Sequence, residues 1–298
     1  MRPIACLVSS NVLEGRPEAR SDAYEFTRQR AALAPAAQAA GFELVPAVWD
    51  EAFDPDRFEA VVIGPTWDYW DKLDAYLAFL DAVSERVLLL NPARVVRWNI
   101  EKTYLKDLAA LGAPVVPTLW ADSASEEAIA EGFERFGAET LVVKPVTGAG
   151  AWRQAKVRRG KPLPPPEALP PRRAMIQPFL PAIAEEGEYS FLFFGGEFSH
   201  ALRKVPAKGD YRIQGMYGGT ETPHAPDRAD LDLARACLAA ACRRCGVDTL
   251  LYARVDMARG LDSKLALMEI ELIEPYYYPE QGPDCGAVFA RALTRILG

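Results

Sequence analysis

Nowhere in the 298 residues do 18 apolar residues follow one another without a charge, which excludes a membrane-spanning helix. The apolar start is short and no small-residue cleavage site follows it, so no secretory leader is read and a cytoplasmic location is expected. Histidine occurs twice. Cysteine is sparse and odd in number: Cys6, Cys237, Cys242, Cys245 and Cys285. Such a set is no disulfide framework. Cys242 and Cys245 form a CRRC pair, yet no second pair and no histidines complete a zinc tetrahedron, and packed thiols in a helix are the expectation. The GxxxxGK[ST] and GxGxxG loops are missing, which excludes a Walker A or Rossmann phosphate cradle. Lys and Arg number 34 against 41 Asp and Glu, a net charge of −7. With no basic stripe carrying interleaved aromatics, neither nucleic acid nor an anionic membrane is an expected partner.

Apolar residues make up 50% of the chain, enough for two or three cored domains. Short apolar runs at 4–9, 42–47, 60–64 and 86–90 read as strands. Helical patterns lie between them at 24–40, with Pro35 a kink or early break, and at 73–83. This alternation predicts βαβ units and a mostly parallel sheet. Next come a helix at 99–111, a strand at 115–120, a helix at 125–136 with Ser123 as a possible cap, and strands at 140–144 and 174–177. The proline-laden KPLPPPEALPPRRA segment must be a surface connection. YSFLFFGGEFSHALRKV alternates around Gly195 and Gly196 as a hairpin does. A helix at 231–245, facing strands at 250–257 and 265–273, and a closing helix at 288–297 complete the chain.

The sharpest pattern is RVD followed by MEIELIEP. Arg254 and Asp256 share one face of a strand, and Glu269 and Glu271 share one face of the next. If the strands pair, three carboxylates converge, and a hard cation among them would relieve their repulsion. A solvated acidic face fits the same alternation. Glu274 is out of phase and either supplements the site or faces water. Lys144 ends a strand and precedes Thr147, Gly148, Gly150 and Trp152, a loop able to turn backbone N–H groups onto phosphate oxygens. An ordinary surface turn reads the same way. Trp67, Asp68 and Tyr69 follow the strand at 60–64, where α/β sheets present ligand groups. There Asp68 would hold an amino group, unless the segment is an exposed turn with a packed tryptophan. His200 is read as a structural histidine.

Taken in order, WNIEKTYL, VVKPVTGAGAW, MIQPFLP, EGEYSFLFFGGEFSHALRKVP, GDYRIQGMYGG, YARVD and MEIELIEP resemble the ATP-grasp superfamily. The likeness is greatest to its glutathione-synthetase-like and RimK-like ligases, and among these to the O-ureido-serine cyclo-ligase type of cycloserine biosynthesis. The resemblance implies mixed α/β and α+β architecture in three domains. These are an N-terminal parallel α/β domain at 1–98, a small central lid at 99–180 and a C-terminal antiparallel-sheet domain at 181–298. It implies ATP between the last two. Lys102 and Lys144 would touch the phosphates, and Gly148, Gly150 and Trp152 would form the closing loop. Gln177, Phe179 and Leu180 would lie at the adenine and Glu188 near the ribose. Asp256, Glu269 and Glu271 match the magnesium ligands, one Mg²⁺ or two, with Mn²⁺ as a substitute. The last ligand is usually Asn in such families, so Glu271 is a departure. Arg254 matches the arginine that steadies the transferred phosphate. Lys204 rather than Arg203 matches the inward position, and with Arg212 and Gly215 it would face the acceptor.

The activity implied is activation of the carboxylate of an amino-acid-like small molecule as an acyl phosphate. A nitrogen nucleophile then attacks it, from a second molecule or from within the first. Two alternatives stand beside it: a RimK-like ligase acting on a peptide or protein end, and an ATP-binding regulatory protein without turnover. The expected assembly is a homodimer or homotetramer.

Overall fold

Four parallel strands open the chain: β1 (Arg2–Val8), β2 (Phe42–Val48), β3 (Ala60–Ile63) and β4 (Leu88–Leu90), in the order β2-β1-β3-β4. The computed structural model describes residues 1–148, 150–207 and 218–298. Pro46 is tolerated because β2 is an edge strand, where a missing N–H costs no ladder bond. The helices α1 (Tyr24–Ala39) and α2 (Leu73–Ser84) are the connections between these strands. Helix α1 fills the expected span and does not break at Pro35, since buried Leu33 and Ala37 hold both sides of the proline against the core.

The helix expected at 99–111 begins only at Tyr104, as α4 (Tyr104–Ala110), and α3 (Ala93–Asn99), which the sequence reading did not draw, precedes it. The break has a cause at each end. The Asn99 side chain leaves its own helix to pair with strand backbone at Ile270 and Leu272, at 2.9 Å for both bonds. The Lys102 N–H donates to the Val146 carbonyl at 2.9 Å.

The second sheet is antiparallel, in the order β5-β8-β6-β7, from β5 (Leu119–Ala121), β6 (Thr140–Pro145), β7 (Ala155–Arg158) and β8 (Ala174–Pro178). Helix α5 (Glu126–Phe136) packs on it through Ile129 and Phe133. Its cap is Ser125, not Ser123: the Ser125 hydroxyl accepts from the Ala128 N–H at 3.2 Å. Strand β7, absent from the sequence reading, has only two inward residues and lies at an edge.

After the short α6 (Ala182–Glu185) comes the third sheet, antiparallel, in the order β11-β10-β9-β12-β13. Its strands are β9 (Glu188–Phe194), β10 (Glu197–Val205), β11 (Thr220–His224), β12 (Tyr252–Arg259) and β13 (Leu265–Glu271). Gly195 and Gly196, at φ 56° and 77°, make the primed turn that the twist of the β9–β10 hairpin needs. Strand β11 went unread because TETPH has no apolar alternation. Helix α7 (Arg228–Cys245) starts at the Asp227 cap and carries Cys242 and Cys245, both free thiols.

The outer rim of β13 is closed by side chains and loop backbone. Besides Asn99, Asn91 donates to the Tyr252 and Leu272 carbonyls at 2.9 Å each and accepts from the Leu251 N–H. The Tyr104 hydroxyl accepts from the Ile270 N–H at 3.1 Å, and Pro114 and Val116 bond both backbone groups of Leu267. These bonds pin the register of β13, and with it the direction of Glu269 and Glu271.

The last helix, α8 (Cys285–Leu297), returns to the first unit and lies against α1. Phe289, Ala292 and Leu293 share one core with Ile4, Leu7, Phe194 and Tyr252. The crossing is close because Gly286 stands against the Ala32 carbonyl, where a Cβ would overlap. Gly286→Ala should therefore lower unfolding free energy by about 1–3 kcal/mol through overpacking. Urea denaturation with tyrosine and tryptophan fluorescence measures it.

Candidate active site

The register across the third sheet gathers charge on one face. Asp256 stands opposite Glu269 and Arg254 opposite Glu271. On the other side of β12, Asp256 stands opposite Ser190, and Glu188 on β9 opposite Lys204 on β10. Lys204 and Arg203 are neighbours, so they face opposite ways; Lys204 is 4% exposed and Arg203 lies in solvent.

All of these side chains but Glu269 and Arg203 form a continuous file. Lys204 donates to Glu188 at 3.0 Å and lies 3.5 Å from Asp256. Asp256 accepts from the Ser190 hydroxyl and from Arg254 at 3.0 Å. Arg254 also pairs with Glu271. Lys102, from the break between α3 and α4, reaches Glu269 at 2.5 Å and the Gly148 carbonyl at 3.0 Å. With Lys144, whose charge Glu269 and Glu188 favour, four cations stand near four carboxylates.

The electrostatics follow from burial and pairing. Burial opposes ionisation of Asp256, but Arg254 and Lys204 outweigh it and hold its pKa below the usual carboxylate range. For Lys204 burial likewise opposes the charge, and Asp256 and Glu188 overcome it, keeping the ammonium charged far above neutrality. Burial raises Glu188 despite Lys204, and lifts Glu271 to about 7 despite Arg254. Lys144 is lowered to about 8, chiefly by burial and further by Lys102.

Among the described residues, no three His, Cys, Asp or Glu side chains stand gathered as a metal cage. Asp256, Glu269 and Glu271 are each turned onto a cation instead. Their donor set is nonetheless oxygen only and on adjacent registers, which suits a hard divalent ion. Such an ion would have to displace Arg254 or Lys102 from a carboxylate.

The glycine loop has an unusual backbone. Gly148, Gly150, Ala151 and Arg153 all have positive φ, at 147°, 61°, 59° and 48°. Trp152 projects from it, 53% exposed, with Arg153 over its ring at 5.2 Å. Gln177 is buried and donates to the Thr118 hydroxyl at 2.8 Å. Lys156 lies 3.8 Å over the Phe179 ring, and Leu180 is buried beside Val116 and Ala258.

Trp67, Asp68 and Tyr69 stand between the first sheet and the end of β13, in different states. The Trp67 indole N–H reaches the Glu274 carbonyl at 3.4 Å. Asp68 is already engaged: it accepts from the Trp49 indole at 2.7 Å and lies 3.4 Å from Lys72. Tyr69 is buried, stacked between Trp70 and Tyr76, and its side chain hydrogen-bonds the Glu274 carboxyl. Burial, reinforced by Glu271, pushes Glu274 up to about 8. His200 is buried, with Nε2 2.9 Å from the Tyr277 carbonyl. Arg212 and Gly215 lie outside the described residues.

Sequence reasoning missed Ser190 and Tyr278. Ser190 carries no signal in an apolar strand. Tyr278 had one, the aromatic run PYYYP directly after the acidic strand. Its ring lies over Lys204 at 5.4 Å and over Arg254 at 5.5 Å. Its φ of 50° is rare for a bulky residue and costs about 1–3 kcal/mol.

A parallel α/β unit, an antiparallel sheet bearing a glycine loop, and a second antiparallel sheet with charged residues on one face together define an ATP-grasp ligase. Residues 5–91 match the family model of the N-terminal domain of D-cycloserine synthetase DcsG. The chain is 32% identical over 267 residues to the cycloserine biosynthesis protein DcsG of Streptomyces lavendulae, covering 83% of this chain and 86% of that one. It is 31% identical over 232 residues to glutathione synthetase of Prochlorococcus marinus (strain MIT 9313), covering 74% and 70%. The crystal structure of D-cycloserine synthetase DcsG superimposes with a TM-score of 0.81 at 26% identity, over 99% of this chain and 100% of that one. D-alanine–D-alanine ligase from Bacillus anthracis, at 14% identity and a TM-score of 0.67, shares the fold, over 100% of this chain and 97% of that one. The chain belongs to the DcsG family of ATP-grasp ligases, and it is an ATP-dependent carboxylate–amine ligase. No helix among the described residues is long and apolar enough to cross a membrane.

Removing one member of the buried file should be costly. Lys204→Met leaves Glu188 without its cation and is expected to destabilise the protein by about 3–5 kcal/mol in urea denaturation.

Proposed function

We propose that the chain closes a ring within an amino-acid-like molecule, activating its carboxylate with ATP and letting a nitrogen of the same molecule displace the phosphate. O-Ureido-serine is the leading substrate. The observation that carries this reading is the charge file of the third sheet, joined through Lys102 to the carbonyl of Gly148. It is supported by the likeness of the whole chain to a cycloserine biosynthesis protein.

ATP would lie between the second and third sheets, in units bounded near residues 98 and 180. Gln177, Phe179 and Leu180 would flank the base, with Glu188 toward the sugar. Lys102 and Lys144 would face the phosphates, with Gly148, Gly150 and Trp152 folding over them to exclude water. Asp256, Glu269 and Glu271 would hold Mg²⁺, which supplies charge neutralisation between the phosphates when bound. Because the file is already balanced, a triphosphate must arrive with its own counter-ions, which favours two divalent ions over one.

Arg254 then orients the substrate carboxylate, whose oxygen attacks the γ-phosphorus and expels ADP. The same guanidinium faces the acyl phosphate, and Lys204 supports it from the neighbouring strand. When the nitrogen attacks the acyl carbon, inorganic phosphate leaves and one proton is released. Trp67 and Tyr69 would wall the substrate, with Arg212 and Gly215 on the acceptor side. Asp68, tied to Trp49 and Lys72, would act by fixing that wall.

The test is ADP and phosphate release with ATP, Mg²⁺ and a panel of free amino acids and their O-substituted serine derivatives, with product mass. A product one water lighter than its substrate is expected, and ADP formation with none of the panel would overturn the reading. Asp256→Asn and Glu269→Gln should each lower kcat by at least about 100-fold with the fold retained. The Lys144 ammonium is charged below about 8 and neutral above it. ATP affinity should therefore fall as pH rises through about 8. In Lys144→Ala, affinity should be weaker and flat across that range, as read by nucleotide titration.

A further inference from the structure

We propose that Tyr278 is a positioning residue for the ligase reaction: a rigid backbone lock aims its ring at Arg254 and Lys204 and holds both cations toward the substrate anion. The proposal rests on the role given above to those two cations.

Four non-glycine residues among those described have positive φ. Ala151 and Arg153 belong to the glycine loop, and Ser263 to an exposed turn. Tyr278 is the one with an aromatic side chain, half-buried, and such a conformation persists only where the surroundings over-determine it. Here they do. Just before it, Tyr277 is fixed at three points. Its N–H donates to Gln29 Oε1 at 3.0 Å, its carbonyl meets His200 Nε2 at 2.9 Å, and its ring packs edge-on against Phe194. Just after it, the chain folds back, and the N–H groups of Gln281 and Gly282 both donate to the Tyr278 carbonyl, at 3.0 and 3.2 Å. Gly282 lies so close to the His200 imidazole that a Cβ would overlap ring atoms. His200 therefore clasps both ends of the turn, and Tyr278 between them has one direction left, over the charge file.

The choice of an aromatic ring there has a physical reason. Asp256, Glu188 and Glu271 already hold Arg254 and Lys204 from the sheet side. Another carboxylate would cancel the positive charge that the substrate anion needs. An aliphatic chain would exclude water but attract neither cation. The face of a ring attracts both and neutralises neither. This role uses the ring and not the hydroxyl, and that difference makes it testable.

Tyr278→Phe keeps the ring, and Tyr278→Gly removes it while relieving the left-handed backbone, so the glycine variant should fold with an undiminished melting temperature. With O-ureido-serine as the carboxylate, Tyr278→Phe should stay within about 3-fold of the wild-type kcat, whereas Tyr278→Gly should lose at least about 10-fold in kcat with little change in KM for ATP. Gly282→Ala, which displaces His200, should lower kcat in the same direction. Crystal structures of the wild type and both Tyr278 variants give a readout without substrate: Arg254 and Lys204 should hold their places in the phenylalanine variant and shift in the glycine variant. A glycine variant with full kcat, a phenylalanine variant as impaired as the glycine one, or unmoved cations in the glycine variant each overturn the proposal. Should the wild type release no ADP with any carboxylate, the functional reading fails, and the three crystal structures alone decide the positioning.

Discussion

Burying carboxylates on the face of a β-sheet is possible only if each finds a positive partner, and this requirement organises the molecule. Asp256, Glu188, Glu269 and Glu271 each rest on lysine or arginine, and those cations come from different parts of the chain: Arg254 and Lys204 from neighbouring strands, Lys102 from the gap between α3 and α4. The gap between α3 and α4, the side-chain bonds that fix the register of β13, and the hairpin that sets Lys204 beside Glu188 all serve the same alignment. A charge displaced by one residue would fall on the opposite face of its strand and lose every partner at once.

The same file explains the protonation states. Asp256 has two cations that outweigh its burial and is held ionised, whereas burial lifts Glu271 to about 7 despite its share of Arg254. One chemical group thus behaves in two ways across a single strand pair, according to whether its positive neighbours outweigh burial and like charge.

Much of this was legible in the sequence because a half-buried strand has a period of two. The spacing of Arg254 with Asp256 and of Glu269 with Glu271 is enough to place all four on one face, and the glycine pair at 195–196 is enough to call the hairpin. What escaped depended on contacts distant in sequence. Nothing in WNIEKTYL says that Asn99 bonds to strand backbone, so the end of α3 there and the later start of α4 were invisible. The edge strands β7 and β11 are too short and polar to show alternation. Pro35 looked like a kink or an early break because its lost hydrogen bond is local, while the burial of Leu33 and Ala37 that compensates it is not. Asp68 looked free for a ligand because Trp49 and Lys72, which occupy it, are strangers to it in sequence.

The asparagines that clasp β13 also bear on how the molecule behaves when crowded. A terminal strand of a five-stranded sheet offers a ladder of unmatched amides and carbonyls, an invitation for another chain to add a strand and begin a fibre. Here that ladder is met at Leu267, Ile270 and Leu272 by Asn91, Asn99, the Tyr104 hydroxyl and the backbone at 114 and 116, which bond it without forming a strand that could itself be extended. The bonds that aim the acidic residues therefore also render that rim inert toward aggregation.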